Sequence, residues 1–190
     1  KNRYGSTDEI GVFEMCDTGL RQVPNPSEAL LSGRPKGASG SCVSCIMEGS
    51  RPILAEIQSI VTTATFSAPR RMVVGFDYNR AMLLMAVLEK RADEDSDMQP
   101  FLAYIGGVYK VRIGNFAARA GLSIASGMRD RAIDEELVCF GEVGLTGELR
   151  AVNSAQQRIN EIRRIGFRKC MLPYSNAKGL TVPEGLELYP

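Results

Sequence analysis

Apolar and polar positions change rhythm several times along this chain, and each change marks an element. Ile10-Gly11-Val12-Phe13-Glu14-Met15 partly alternates as a strand does, Asp17-Thr18-Gly19 is a turn, and Gln22-Val23 resumes an extended path before Pro24. Asn25-Pro26-Ser27-Glu28 carries helix-start signals, with proline preset for the first turn and an acid favoured by the dipole, ahead of a brief Ala29-Leu30-Leu31 turn. The glycines and proline between Ser32 and Gly40 read as a linker, so a domain boundary is expected near residue 35. Beyond it, Ser41 to Met47 reads as a strand, Glu48-Gly49-Ser50-Arg51-Pro52 as a tight hairpin, and Ile53 to Val61 as the returning strand.

Met72-Val73-Val74-Gly75-Phe76 reads as a short buried strand ahead of a helix from Tyr78 to Arg91, in which Ala81, Leu84, Met85 and Leu88 recur at helical spacing. Asp93 to Gln99 is a polar, acidic loop. Phe101 to Ile105 and Val108 to Ile113 are expected strands flanking a turn at Gly106-Gly107. The alanine-rich stretch from Phe116 to about Arg129 reads as a buried helix. Strands near Val138–Phe140 and Glu148–Val152, a helix from about Ala155 to Ile165 and a strand from Lys169 to Leu172 complete a βα alternation. Hairpins first and βα units afterwards predict an α/β (α+β) fold, a mixed sheet layered with helices.

Composition narrows the chemistry more than the fold. The 190 residues carry 23 basic and 22 acidic side chains, a net charge of +1, so nucleic-acid contact requires a local patch rather than a global field. No apolar run approaches the roughly 18–20 residues that span a bilayer, and the cytoplasm is the expected compartment. Five cysteines do not make a disulfide framework and fit a reducing environment. The absence of histidine removes Ser-His and Cys-His nucleophile pairs and every histidine-containing metal site. Cys42-Val43-Ser44-Cys45 has the spacing of a zinc half-site or redox pair, but no second pair exists. In a strand, residues three apart diverge to opposite faces, which argues against either use. Gly33-Arg34-Pro35-Lys36-Gly37 lacks the G-x-x-x-x-G-K pattern of a phosphate loop, and no such pattern occurs elsewhere.

Several stretches match one family. Lys1-Asn2-Arg3-Tyr4-Gly5 followed by Ser6 to Met15 resembles the KNRFG segment of the RadA (Sms) family of bacterial DNA-repair ATPases, with Tyr4 in place of phenylalanine. Asn25-Pro26-Ser27-Glu28, Glu48 to Pro52, Pro69-Arg70-Arg71, Asn79-Arg80, Ala86 to Arg91, Gly106-Gly107-Val108, Arg129-Asp130-Arg131 and Phe140 to Arg150 (FGEVGLTGELR) match as well. The resemblance implies that residues 1–35 close a RecA-like ATPase core and that 36–190 form a Lon protease-like domain, the second-domain fold of a small-subunit ribosomal protein. It also implies ATP and magnesium for the longer protein, zinc in an N-terminal finger absent from this stretch, and no cofactor of the stretch itself. The implied partners are single-stranded DNA, recombination intermediates, further copies in a hexameric ring, and the recombinase RecA. Lys1 and Arg3 would act as phosphate-directed cations, Tyr4 keeping a ring face for packing or stacking; the alternative is a frayed end.

The likeness to Lon raises the question of proteolysis, since a Ser-Lys dyad needs no histidine. Matching Ile113 to Ala118 to the Lon nucleophile segment puts Ala117 at the serine position. Matching Gly147 to Val152 puts Gln156 at the lysine position, and no lysine lies between Lys110 and Lys169. A methyl group cannot attack a carbonyl and an amide cannot take the proton. The expected role is therefore a non-proteolytic scaffold for ring assembly and DNA binding in branch migration; the alternative is a residual serine peptidase using Ser123 or Ser126. Lys110 and Arg112, two apart on an expected strand, and Arg70 with Arg71 are the candidate DNA cations, solvated surface charge being the alternative.

Overall fold

The computed structural model describes residues 11–63, 71–92, 101–107 and 117–190, with the side chains of 63, 91, 92, 101–107 and 117–119 excepted. A hairpin opens the described chain: β1 (Phe13–Cys16) pairs antiparallel with β2 (Gly19–Gln22). α1 (Pro26–Leu31) follows, capped by the Asn25 side chain, which accepts from the Glu28 amide as the helix-start signals predict.

The body is a seven-stranded sheet in the order β11-β10-β7-β3-β4-β6-β5. β3 (Ser41–Glu48) and β4 (Arg51–Thr63) form its central antiparallel pair, and β6 (Phe101–Gly107) lies antiparallel to β4. β5 (Met72–Val74) runs parallel to β6; β7 (Leu137–Cys139), β10 (Lys169–Met171) and β11 (Glu187–Tyr189) run parallel to one another and to β3. The fold is thus the mixed α/β, α+β arrangement expected from hairpins preceding βα units.

Period two along β4 puts Leu54 and Ile57 on opposite faces, and each face has its own helices. Ile57 is buried with Ala81, Leu84 and Met85 of α2 (Tyr78–Ala92) and Ala120 and Ile124 of α3 (Ala117–Met128). Leu54 is buried with Val43, Val138, Cys170 and, from α4 (Ala155–Ile165), Ile159 and Ile162. β3 is buried from Cys42 to Ile46 because it is central and covered on both sides, which explains an apolar run where a half-exposed strand would alternate.

Polar anchors fix the register. Gly40 has φ +78°, and a Cβ there would stand 2.2 Å from the Ser59 carbonyl oxygen, so the chain enters β3 through a position closed to side chains. The β3–β7 ladder ends at Ser44. The next carbonyl, that of Cys45, accepts instead from Arg158 Nη1 of α4 at 2.5 Å, while Arg158 Nε donates to Asn153 O at 3.0 Å. Arg158 is 2% exposed and lies over the Phe140 ring. α1 is held by Ser27, whose hydroxyl donates to Glu161 of α4 at 2.7 Å and accepts the Leu54 amide at 3.1 Å. The expected boundary near residue 35 thus falls after a helix packed on the main sheet.

Three expectations change, and two elements were not expected. Gly106 and Gly107 are not a turn; they are the last residues of β6, opposite Gln58 and Ile57, because β4 extends far enough for its ladder to run through both glycines. Met72–Val74 is an edge strand rather than a buried one, with Met72 52% and Val74 50% exposed. Of Glu148–Val152 only β9 (Leu149–Arg150) is a strand, and it pairs with β8 (Glu142–Val143) in a separate ribbon instead of joining the main sheet. α5 (Tyr174–Ala177) and β11 follow β10 without having been anticipated.

Candidate functional site

The positions that Lon-type chemistry would use fall on α3 and α4. Ala117 opens α3, its side chain outside the described set. Gln156 stands in the first turn of α4, and both ends of its amide are engaged. Nε2 donates to Thr181 O at 2.8 Å and to Asn160 Oδ1 at 3.0 Å, while Oε1 accepts the Thr181 amide at 2.9 Å. Here the side chain acts as a backbone mimic that ties α4 to the strand-like segment before β11, a bracing role open to an amide and closed to an ammonium.

The alternative nucleophiles fare no better. Ser123 is 0% exposed; its hydroxyl donates to Gly40 O at 2.6 Å and lies 2.8 Å from Ser59 Oγ. Ser126 donates to Arg131 O at 2.6 Å and accepts the Gly40 amide at 2.9 Å. Both serines sew α3 to the entry of β3, their hydroxyl protons directed at backbone carbonyls. Lys169, the first lysine after Lys110, donates to Asp134 Oδ2 at 2.5 Å, and this bond raises its pKa, so it stays an ammonium that cannot take a proton.

The thiols are equally structural. Cys42 and Cys45 do diverge across β3: Cys42 Sγ meets Cys139 Sγ at 3.2 Å, while Cys45 lies in the α4-side core beside Arg158. Burial pushes the Cys170 thiol far up, away from the reactive thiolate. Among the described residues no group of three or more Cys, Asp or Glu side chains is placed to hold a metal ion.

Of the expected DNA cations, only Arg71 lies within the described residues. Its guanidinium pairs with Glu89 of α2, and its Nε is buried without a partner among the described groups. It serves as a strap between β5 and α2. Arg70, Lys110, Arg112 and the segment Lys1, Asn2, Arg3, Tyr4 and Gly5 lie outside the described residues.

The structure does show a cavity of about 270 Å³ at the carboxyl ends of β7 and β10, lined by apolar groups that include Leu84, Leu88, Leu122, Phe140, Val143 and Leu149. Gly121 and Ala125, which also line it, repeat at i+4 and i+8 from Ala117, so the cavity borders the face of α3 on which a Lon-type nucleophile would sit. It offers room for an apolar group; among the described residues the one lining side chain with a titratable group is the buried thiol of Cys139.

The FGEVGLTGELR stretch shapes one wall. Glu148 accepts from the Thr146 amide at 3.1 Å, from Thr146 Oγ1 at 2.5 Å and from Arg150 Nε at 2.7 Å, bonds that together hold its carboxyl down at about 2. That carboxylate fills the space of a Cβ at Gly144, which would stand 2.0 Å from Glu148 Oε1, so a side chain at Gly144 would have to displace the carboxylate from its bonds to Thr146. Sequence reasoning missed Arg158 as well. Its signal was its place on the stripe Ala155, Arg158, Ile159, Ile162, where a cation at core spacing has to find buried partners.

No protein-family model matches the chain. Among curated proteins it is 44% identical over 190 residues, 99% of its length, to DNA repair protein RadA of Halalkalibacterium halodurans, covering 41% of that protein. It is also 44% identical over 99% of its length to the proteins of the same name from Bacillus subtilis and Streptococcus pneumoniae, covering 41% and 45% of them. The chain therefore spans less than half the length of these relatives. Identity of this order over nearly the whole chain places it with the RadA family of DNA repair proteins, as a stretch corresponding to about two-fifths of their length.

Proposed function

We propose that this chain is the non-proteolytic, Lon-like part of a RadA-type DNA repair protein, serving as a scaffold for ring assembly and as a contact for single-stranded DNA during processing of recombination intermediates. The observation that carries the repair role is the 44% identity to RadA proteins over 99% of the chain. The non-proteolytic part is supported by Gln156, whose amide is consumed by Thr181, and by the burial of Ser123. ATP and magnesium, the zinc of an N-terminal finger, the hexameric state and cooperation with RecA belong in this reading to the longer protein. Lys1 and Arg3 are assigned to its nucleotide-coupling face, and residues 1–35 to the end of its ATPase core. Because Ser27 ties α1 to α4, α1 travels with the Lon-like body in this scheme.

The reading is tested on the 190-residue protein by mixing it with casein and, separately, with a fluorescent single-stranded oligonucleotide. It predicts no casein fragments and an anisotropy rise that falls away with added salt. Release of peptides, or no binding even at low salt, would contradict it.

A further inference from the structure

The turn that follows α3 holds a strained residue between two arginines. Asp130 has φ +46°, a left-handed conformation that costs an aspartate free energy and persists only where its surroundings over-determine it. The surroundings do so here. Ser39 Oγ donates to Asp130 Oδ1 at 2.6 Å, the Asp130 amide reaches Gly127 O at 3.4 Å, and the Arg131 amide reaches Ser126 O at 3.1 Å. Ser126 closes the ring by donating its hydroxyl to Arg131 O and accepting the Gly40 amide, which pins the segment bearing Lys36 to the same turn.

Arg129, Arg131 and Lys36 are all exposed, and none forms an ion pair among the described residues. Asp134 bonds Lys169 and Glu136 faces Arg168 at 3.6 Å, which leaves the carboxylates of Asp130, bonded to Ser39, and Glu135 against the three cations Lys36, Arg129 and Arg131. Arg34, by contrast, is engaged: it donates to Glu135 O at 3.0 Å and lies over Phe167. What remains is a rigid, locally cationic corner on a nearly neutral protein. Two guanidinium forks held one residue apart by a locked backbone suit phosphate oxygens, where a planar donor set can bond bidentately.

We propose that Arg129 and Arg131, presented by the Ser39–Asp130–Ser126 lock and flanked by Lys36, form a phosphodiester-binding corner for single-stranded nucleic acid. The proposal rests on the reading that this protein acts on DNA, and it adds a contact beyond the Lys110–Arg112 and Arg70–Arg71 pairs expected from the sequence. It also gives the Arg129-Asp130-Arg131 motif a physical role: the aspartate shapes the turn and the arginines do the binding.

The test uses the full 190-residue protein, a fluorescent thymidine oligonucleotide and a salt titration. The double variant Arg129→Gln/Arg131→Gln is compared with wild type and with Lys178→Gln, a surface lysine stacked on Tyr174. The proposal predicts that the double variant binds about tenfold or more weakly and that its log-log salt slope is shallower by about 1.4, two single-strand phosphate contacts. Lys178→Gln keeps the wild-type curve, and Ser39→Ala, which loosens the turn but leaves both charges, falls between. If wild type binds and the double variant matches it in affinity and slope, the corner is overturned while the DNA reading stands. If wild type does not bind at low salt, the reading itself fails and the corner with it. If the double variant instead loses self-association in sedimentation and keeps its DNA affinity, the arginines meet carboxylates of another copy and the proposal is overturned.

Discussion

Burying a guanidinium whose partners are two carbonyls and a ring is costly unless each donor does something no neutral residue does, and Arg158 meets that condition. It takes over the Cys45 carbonyl where the β3–β7 ladder stops, and it closes the loop at Asn153. Replacing Arg158 by alanine leaves the Cys45 carbonyl without its donor and a hole beside Phe140. The expected loss is roughly 2–4 kcal/mol in urea unfolding, with methionine recovering only the packing part. Gly40 is the second single-residue test. Gly40→Ala demands both a left-handed alanine and space already filled by the Ser59 carbonyl, so a loss of about 3 kcal/mol or more is expected from the same measurement. Neither effect was legible in composition. The arginine on an apolar stripe was a visible signal that needed the end of a strand to give it meaning.

Among the elements, the β8–β9 ribbon is held by side-chain chemistry rather than by the main sheet. The Glu148 carboxyl sits at about 2 in the folded ribbon against an ordinary value of 4.5. A group with a depressed folded pKa contributes stability above its unfolded pKa and loses it as pH falls toward the folded one. The ribbon is therefore expected to loosen between about pH 4.5 and 2, seen as faster amide exchange at Gly144 and Thr146 before global unfolding. In the same window Glu148→Gln should show no such step. α1 makes a complementary case. Its start was readable from Asn25-Pro26-Ser27-Glu28, but its attachment was not, because Ser27 bonds Glu161 across 134 positions of sequence. A chain cut before Asn25 is expected to melt close to the intact protein. One cut before Lys36 loses the Ser27 bridge and the Leu30 packing against Ile46 and Ile53, and melts several degrees lower in a thermal scan.

Across the whole molecule, periodicity carried most of the architecture. The helical stripe of Ala81, Leu84 and Met85 and the alternation around β3 and β4 are local patterns that survive into the fold. What escaped was set by non-local pairing. Gly106 and Gly107 look like a turn until β4 is seen to run past them, and Leu149–Arg150 looks like part of the main sheet until, among the described residues, it proves to pair with β8. The bracing role of Gln156 was not legible either, since its amide bonds Thr181, 25 positions later. Nor was the locked Asp130 turn, which depends on Ser39, 91 positions earlier. No helix among the described residues is long and apolar enough to cross a membrane.

Among the described residues, the reactive-looking Ser123, Ser126 and Gln156 are all engaged in bracing hydrogen bonds. Intact-mass measurement after incubation with a fluorophosphonate serine probe examines that directly. The account predicts an unmodified mass, because Ser123 and Ser126 donate their protons to Gly40 and Arg131 carbonyls. A single phosphonate adduct mapping to either serine would contradict it.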